Sequence, residues 1–434
     1  MAIEHLYSVP HLTTALTGPL LQIETHLLEH QVEIEAWIRQ QWLKTPAPFY
    51  ASVDLRNAGF KLSPVDTNLF PAGFNNLNPD FMPLCVQAVQ LAIERACPKA
   101  RKVLLIPESH TRNLFYLESV ATLQEILIKA GFEVRIGSLI QELEQPTAID
   151  LPSGRKVMLE PLIREDNRVG VKDYFPCMIL LNNDLSGGRP EILENLENQT
   201  VMPPLELGWS NRLKSVHFNF YREITDEFAK LINIDPWLIN PLFRNCGEID
   251  FMRREGEDCL ATNADALLKA VKDKYDQYGL TERPFAIVKA DAGTYGMGIM
   301  TIHSGEEIYD LNRKQRTKMS ASKEGKSVSK VIIQEGVYTF ETWGPDQAVA
   351  EPVVYMMDHF VVGGFYRVHK GRGINENLNA PGMHFEPLAF AEPCNTPDPT
   401  MAPDANPNRF YAYGVIARLA LLAAARELAS KKSA

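Results

Sequence analysis

A lysine inside an apolar run is the first residue here with a chemical claim. Phe285-Ala286-Ile287-Val288-Lys289-Ala290-Asp291 reads as a buried strand carrying Lys289, followed by a loop in which Gly293, Gly296 and Gly298 are spaced GxxGxG. An ammonium group in such a strand is costly without an anionic partner. Glycines let backbone N–H groups approach an anion closely, because no Cβ intervenes and positive φ is free. A dinucleotide-binding loop would open a helix, whereas Gly298-Ile299-Met300-Thr301-Ile302-His303 reads as another strand. The combination predicts a glycine flap closing over phosphates between two antiparallel strands. The alternative is a plain hairpin with an unpaired lysine.

Further residues fit the same chemistry. The strand Val331–Val337, which includes Gln334, Glu335 and Val337, runs into a polar hinge able to offer main-chain donors and acceptors to an adenine edge. Glu351, Arg367 and the cluster Asn375-Glu376-Asn377-Leu378-Asn379 bracket one long apolar hairpin. Magnesium prefers carboxylate and amide oxygens beside phosphate, and arginine suits an anionic transferring group. In the first half, Val53–Asn76 is polar, glycine-rich and aromatic; Arg56 and Lys61, with amides such as Asn75, could clamp a zwitterionic substrate that bears a carboxylate. A second candidate is Glu108-Ser109-His110-Thr111-Arg112-Asn113, just after the strand Lys102–Pro107, where open α/β sheets place ligands. Either could equally be an ordinary polar loop.

Two other motifs tempt and fail. His26-Leu27-Leu28-Glu29-His30 matches the inverted zinc-protease pattern, and helical spacing puts both imidazoles on one face. A third ligand and a water site are still required, so a polar helix face is the better reading. Gly325-Lys326-Ser327 resembles the end of a phosphate-binding loop, but Ser320 stands where the pattern needs glycine.

The elements that must position these residues follow from periodicity and composition. The chain has 434 residues, a net charge of −10 and 23% charged residues, which is globular composition. A single core rarely exceeds about 300 residues, so more than one domain is expected. The acidic balance disfavours a nucleic-acid partner but leaves room for a local cationic nucleotide site. Residues 12–44 read as one amphipathic helix, Phe49–Leu55 as a strand, and Arg56–Asn78 as a turn-rich stretch. Helix 82–95, strand 102–107, helix 114–130 and strand 132–136 alternate as in an α/β layer with parallel pairing, joined by a buried strand at 177–181. Met202-Pro203-Pro204 marks a boundary, giving an α/β domain at 1–205 and a second domain at 206–434. The second half holds helices at 220–232 and 264–278, mostly antiparallel strands, and a final helix at 410–431. Lys314–Lys330 reads as a polar surface loop. Six cysteines without CxxC spacing read as free thiols. The N-terminal residues lack a secretory pattern and the longest apolar stretch is far short of a membrane span, so the expectation is a cytoplasmic protein with no membrane partner.

Lysine strand, glycine flap, hinge, acidic residue, arginine and then Asn-Leu-x-Ala-x-Gly, in that order, resemble the ATP-grasp superfamily, and glutathione synthetase most closely within it. The resemblance covers roughly Arg212 to Phe390. Asn377-Leu378-Asn379-Ala380-Pro381-Gly382 is similar to the family's metal-binding asparagine segment, with Pro381 replacing a common glycine. The resemblance implies an α/β (α+β) fold whose second domain is an ATP-grasp domain, with a lid subdomain at about 240–335. It implies ATP phosphates on Lys289, adenine beside Glu335 and Val337, magnesium on Glu351 and Asn377, and Arg367 on the reacting phosphoryl. Either Asn375 or Glu376 joins the metal set, because the usual pattern has Asp at position 351 and Glu-x-Asn at the asparagine segment. A second basic ATP contact is expected upstream, with Arg253 and Arg254 as candidates. With the first-half segments and the length, the chain resembles a proteobacterial type of glutamate–cysteine ligase built on an ATP-grasp core. That implies ATP and Mg²⁺ as cofactors and glutamate and cysteine as substrates, joined through an acyl phosphate. The alternative is glutathione synthetase or another amino-acid ligase of the same superfamily.

Overall fold

The computed structural model describes residues 13–14, 19–109, 113–293, 298–320, 328–387 and 409–432. The first of its sheets runs, edge to edge, Thr200–Met202, Met178–Asn182, Lys102–Pro107, Glu133–Ser138, Lys156–Pro161 and Thr147–Asp150. The first five strands are parallel and the last is antiparallel. Val103 to Pro107 is buried throughout, as expected of a parallel strand covered on both faces. Helix Leu114–Lys129 makes the connection from this strand to Glu133–Ser138.

A seven-stranded sheet is built on the long hairpin Ala348–Met357 and Phe360–His369. His384–Pro387 flanks one side of the hairpin; Glu341–Trp343 and Tyr50–Asn57 share the other. Leu62–Asn68 pairs with Tyr50–Asn57 and extends the sheet. The third sheet is four-stranded and wholly antiparallel, in the order Phe243–Glu248, Lys330–Glu335, Ala286–Ala290, Ile299–Ile302. It falls inside the segment that the resemblance gives to a lid.

Helix Arg409–Lys432 is buried at every position from Tyr411 to Ala425. A helix apolar on all sides belongs in a core, and this one packs on helix Lys214–Ile232 and on the 50–68 hairpin. Its buried Arg418 is held by Glu35 through two bonds of 2.7 and 2.8 Å.

Several sequence expectations change. The helix expected over 12–44 starts at Pro19 and breaks at His30, giving Pro19–Glu29 and Gln31–Lys44. The stretch 56–78 contains the strand Leu62–Asn68, and the 50–68 hairpin joins the seven-stranded sheet through Tyr50–Asn57, which pairs with Ala348–Met357 of the second half. Arg313–Ser320 is a helix where a loop was expected, and residues 321–327, which include the Gly325-Lys326-Ser327 motif, lie outside the described residues. The five described cysteines are free thiols, yet Cys97 and Cys177 approach to 3.0 Å between sulfurs. No helix among the described residues is long and apolar enough to cross a membrane.

Candidate active site

The four-stranded sheet and the seven-stranded sheet face each other across one cavity. Antiparallel register decides which residues reach it. Lys289 lies opposite Ile299 and Ile287 opposite Gln334, and all four line the cavity, because directly paired residues and residues two apart share a face. On the facing sheet Glu351 pairs with Arg367, and Asp54 pairs with Asp66. These four also line the cavity. The Lys289 ammonium spans the gap and donates to the Val65 carbonyl at 2.7 Å.

The upper rim comes from a helix terminus. Asp291, just past the Lys289 strand, caps helix Lys214–Ile232: its carboxylate accepts from the Ser215 amide at 2.7 Å and the Ser215 hydroxyl at 2.6 Å. That cap fixes Lys214 at the first position of the helix, where its ammonium donates to the Gly293 carbonyl at 2.6 Å and sits 3.8 Å above the Trp209 ring.

Charge in the cavity is dense and only partly reconciled. Arg56 donates to Glu351 at 3.0 Å and to the Val337 carbonyl at 3.1 Å, and also to the Glu376 carbonyl. Arg367 donates to Asp54 at 3.1 Å and to Glu351. Burial works against ionisation of Glu351, but Arg56 and Arg367 outweigh it and hold its carboxyl below the usual range. Burial likewise opposes charge on Arg367, and Asp54 and Glu351 reverse that and raise it. For Asp54 burial wins, reinforced by Glu351 and Asp66 against Arg367, and its carboxyl is pushed up. Lys289 is pushed down to about 8, chiefly by burial, with Asp66 opposing and Lys214 reinforcing the shift. Burial also lowers Lys214. Two cavity-lining side chains keep an unpartnered buried donor among the described residues, the Gln334 amide nitrogen and the Arg367 Nε. A buried donor without an acceptor is a cost that a ligand can remove.

The glutamate-cysteine ligase family matches residues 24–428. The chain belongs to that family. A solved protein of Methylobacillus flagellatus KT, provisionally assigned as a gamma-glutamylcysteine synthetase, is 63% identical over 98% of this chain and 99% of its own, with a TM-score of 0.89. A glutathione synthetase-like effector of Globodera pallida matches at 9% identity over 82% of this chain and 81% of its own, with a TM-score of 0.36. D-alanyl-alanine synthetase A of Vibrio cholerae O1 biovar eltor matches at 11% identity over 74% of this chain and 81% of its own, with a TM-score of 0.33. At those two scores the likeness carries no argument. No curated protein matches the chain.

In this member of the glutamate–cysteine ligase family the sequence expectations sort cleanly against the cavity. Lys289, Gly293, Gln334, Glu335, Val337, Glu351, Arg367, Glu376, Asn377 and Arg56 all line it. Arg56 is bonded to Glu351 and to the carbonyls of Val337 and Glu376, so it braces the acidic segment rather than standing open to a substrate. Lys61 does not reach the cavity: it is fully buried behind it, paired with Glu335 at 2.9 Å and 4.3 Å over the Trp237 ring. Asn75 is exposed on a short helical turn and bonds only its neighbour Asn76 among the described residues. Gly298 adopts φ +64° beside the cavity and accepts the Ala290 amide through its carbonyl. Gly296 and Arg112 lie outside the described residues. Of the upstream basic candidates, Arg253 is exposed and Arg254 is tied to Glu257, and neither lines the cavity; the upstream lysine that does line it is Lys214. Asp54, Asp66 and Lys214 were missed. The only trace in sequence was the polar residue punctuating each of the runs VDL and VDT. The His26, Glu29 and His30 ligand atoms do cluster within 4.8 Å of one another, at the break between helices Pro19–Glu29 and Gln31–Lys44, and none of the three lines this cavity. His26 there bonds the Ile232 carbonyl and His30 the His26 carbonyl.

Proposed function

We propose that this cavity binds ATP and joins the γ-carboxylate of glutamate to the amine of cysteine, forming γ-glutamylcysteine. The observation that carries the reading is the convergence of Lys289, Lys214 and Arg367 on one buried cavity whose adenine-side strand offers an unpartnered Gln334 amide. Polyphosphate would add anionic charge beside two ammonium groups that burial weakens. The hinge from Gln334 to Val337 lies where a base edge would be read.

The substrate carboxylate oxygen attacks the γ-phosphorus, the bond to the β–γ bridging oxygen breaks, and ADP departs. The cysteine amine, after losing a proton, attacks the acyl carbon and expels phosphate. Such chemistry rests on positioning and charge stabilisation, and no protein nucleophile is required. Lys289 and Lys214 hold phosphate oxygens, and Arg367 faces the charge that gathers on the transferring phosphoryl. Glu351, Glu376 and Asn377 present oxygen ligands only, the donor set that magnesium prefers. Once bound, the ion would neutralise phosphate charge. Arg56 orients Glu351 and the Glu376 backbone for that task. A cytoplasmic setting suits a chain whose described cysteines are all free thiols.

The test is a phosphate-release panel on the purified protein with ATP and Mg²⁺. Release in step with γ-glutamylcysteine formation is expected for glutamate plus cysteine. Release with γ-glutamylcysteine plus glycine alone would move the assignment to glutathione synthetase.

A further inference from the structure

Helices Pro19–Glu29 and Gln31–Lys44 meet at His30, and the residues at that joint carry metal-ligand chemistry that the ligase cavity does not use. The apolar side of the joint is closed: Ile23, Leu27 and Ile34 belong to the core. His26 and His30 are half-buried and Glu29 is exposed, so an ion in solvent can reach all three. Their spacing of three and four residues brings them to one face of a helical turn. Their ligand atoms gather within 4.8 Å of one another, and His26 Nδ1 stands 4.0 Å from a Glu29 carboxylate oxygen. The two imidazole rings lie 4.1 Å apart between centres. Ligands held about 2.0–2.2 Å from one tetrahedral ion are about 3.3 Å from each other, so small side-chain rotations complete the set.

Backbone carbonyls already fix both rings. His26 donates through Nε2 to the Ile232 carbonyl, and His30 donates through Nδ1 to the His26 carbonyl at 2.9 Å. A ring nitrogen that donates to a carbonyl carries the proton. The other nitrogen, Nδ1 of His26 and Nε2 of His30, is then left with a lone pair. Metal-binding histidines are held in this way: one nitrogen is anchored, the tautomer is set and the ligating nitrogen becomes more basic. Ile232 is the last residue of helix Lys214–Ile232, and the carbonyl end of a helix favours positive charge.

We propose that His26, Glu29 and His30 form a binding site for a divalent transition-metal ion of the zinc class, with water completing the coordination. Two imidazoles suit zinc, copper or nickel, whereas magnesium takes oxygen ligands. Nothing in this site depends on the ligase reading of the main cavity. The ion's role is structural. None of the three residues lines the main cavity or a smaller one, of about 310 Å³, beside Glu108 and Asn183 at the carboxyl ends of strands Lys102–Pro107 and Met178–Asn182. The 19 residues of helix Lys214–Ile232 put about 27 Å between Ile232 and the cavity-lining Lys214. A bound ion fastens the joint of the two N-terminal helices and, through His26, docks it on the end of the Lys214 helix.

Zinc is the probe. Titrated by calorimetry into the whole protein after chelator treatment, it should bind and raise the thermal midpoint. His30→Ala and Glu29→Ala should each weaken that binding at least about tenfold and remove the thermal shift. Glu29 is exposed and its carboxylate meets only His26 among the described residues, so Glu29→Ala keeps the fold even if a histidine variant does not. Excess magnesium should leave the zinc in place, because it competes poorly for imidazole nitrogen. Failure of the unaltered protein to bind zinc would overturn the proposal, as would affinity and thermal shift that survive in both variants. Displacement by magnesium would move the ion to oxygen ligands elsewhere and overturn it too. With cobalt(II) in place of zinc, a spectrum dominated by the intense near-ultraviolet band of thiolate ligation would assign the ion to cysteines and have the same consequence.

Discussion

Two buried charge clusters sit on opposite faces of the same strand, Leu62–Asn68, and their difference separates architecture from chemistry. Asp66 lines the cavity between the two antiparallel sheets, while its neighbour Thr67 faces a cluster of Arg212, His217 and Glu427. In that cluster Arg212 grips both Glu427 oxygens at 3.1 Å and donates to the Thr67 carbonyl, and the His217 ring meets the Thr67 hydroxyl at 3.0 Å. It ties helix Lys214–Ile232 and the segment before it to the final helix and to the sheet. Burial opposes the charge of Glu427, yet Arg212 and His217 outweigh it and hold its carboxyl down to about 2. None of these three side chains lines either of the two cavities described above. Across the strand the charges face open volume, and burial weakens two lysines there. A buried charge whose partners are all internal holds a fold. Charges gathered around unfilled space await a ligand.

The sharpest way to break this comparison is to disturb the closed cluster. Glu427→Gln should destabilise the protein by about 3–5 kcal/mol, because it leaves Arg212 buried without its counter-charge. The ATP dissociation constant of the folded fraction should not change. Acid offers the same test without mutation. The folded pKa lies below the ordinary 4.5, so the stability from the ionised carboxylate is complete above about pH 4.5 and is lost as pH falls from there toward 2, to a total of about 3 kcal/mol. Acid titration of the thermal midpoint should show that loss in the native sequence and less of it in Glu427→Gln. A pH-independent difference between the two would refute the assignment. The open cluster should respond in the reverse sense. Arg367→Lys keeps the charge but loses the planar fork, and kcat should fall about 10²–10³-fold with the thermal midpoint little changed. A variant that melts early but turns over normally would place Arg367 with the architecture.

The open cluster was partly legible in sequence, and the closed one was not. Lys289 announced itself because an ammonium in an apolar strand violates the local pattern, and Glu351 and Arg367, weak as individual signals at hairpin ends, stood out through the order of motifs that resembles the ATP-grasp superfamily. Asp54 and Asp66 were hidden because Tyr50–Asn57 pairs with Ala348–Met357, a contact nearly 300 residues away that no local periodicity records. Pro64 and the run of polar residues made Leu62–Asn68 look like a loop. The strand tolerates that proline at a register shift, where the ladder is already irregular. Lys214 escaped for a related reason. The apolar pattern suggested a helix from 220, but Asp291 caps the true start at 214 from a strand more than 70 residues downstream. Arg56 and Lys61 were expected to clamp a substrate carboxylate; their carboxylate partners are instead Glu351 and Glu335 of the protein itself. Residue type marks where charge is buried, but only the tertiary pairing shows whether it is already neutralised.

The smallest expected effect tests that last distinction directly. Lys289 titrates near pH 8 in the free protein because burial, with help from Lys214, outweighs the pull of Asp66, Asp54 and Asp291. A polyphosphate beside it favours the charged form, so ATP binding takes up a proton wherever Lys289 is neutral beforehand. Affinity should therefore stay level below pH 8 and decline above it, by up to roughly tenfold per pH unit. Lys214 lines the same cavity and is lowered too, so it adds to the slope at higher pH. Lys289→Arg keeps its charge throughout this range and should flatten the part of the decline that begins near pH 8. Calorimetric titration of ATP into both proteins between pH 7 and pH 9.5 measures the slope. Parallel curves would mean that Lys289 is paired within the protein, as Lys61 is, and that the phosphates lie elsewhere.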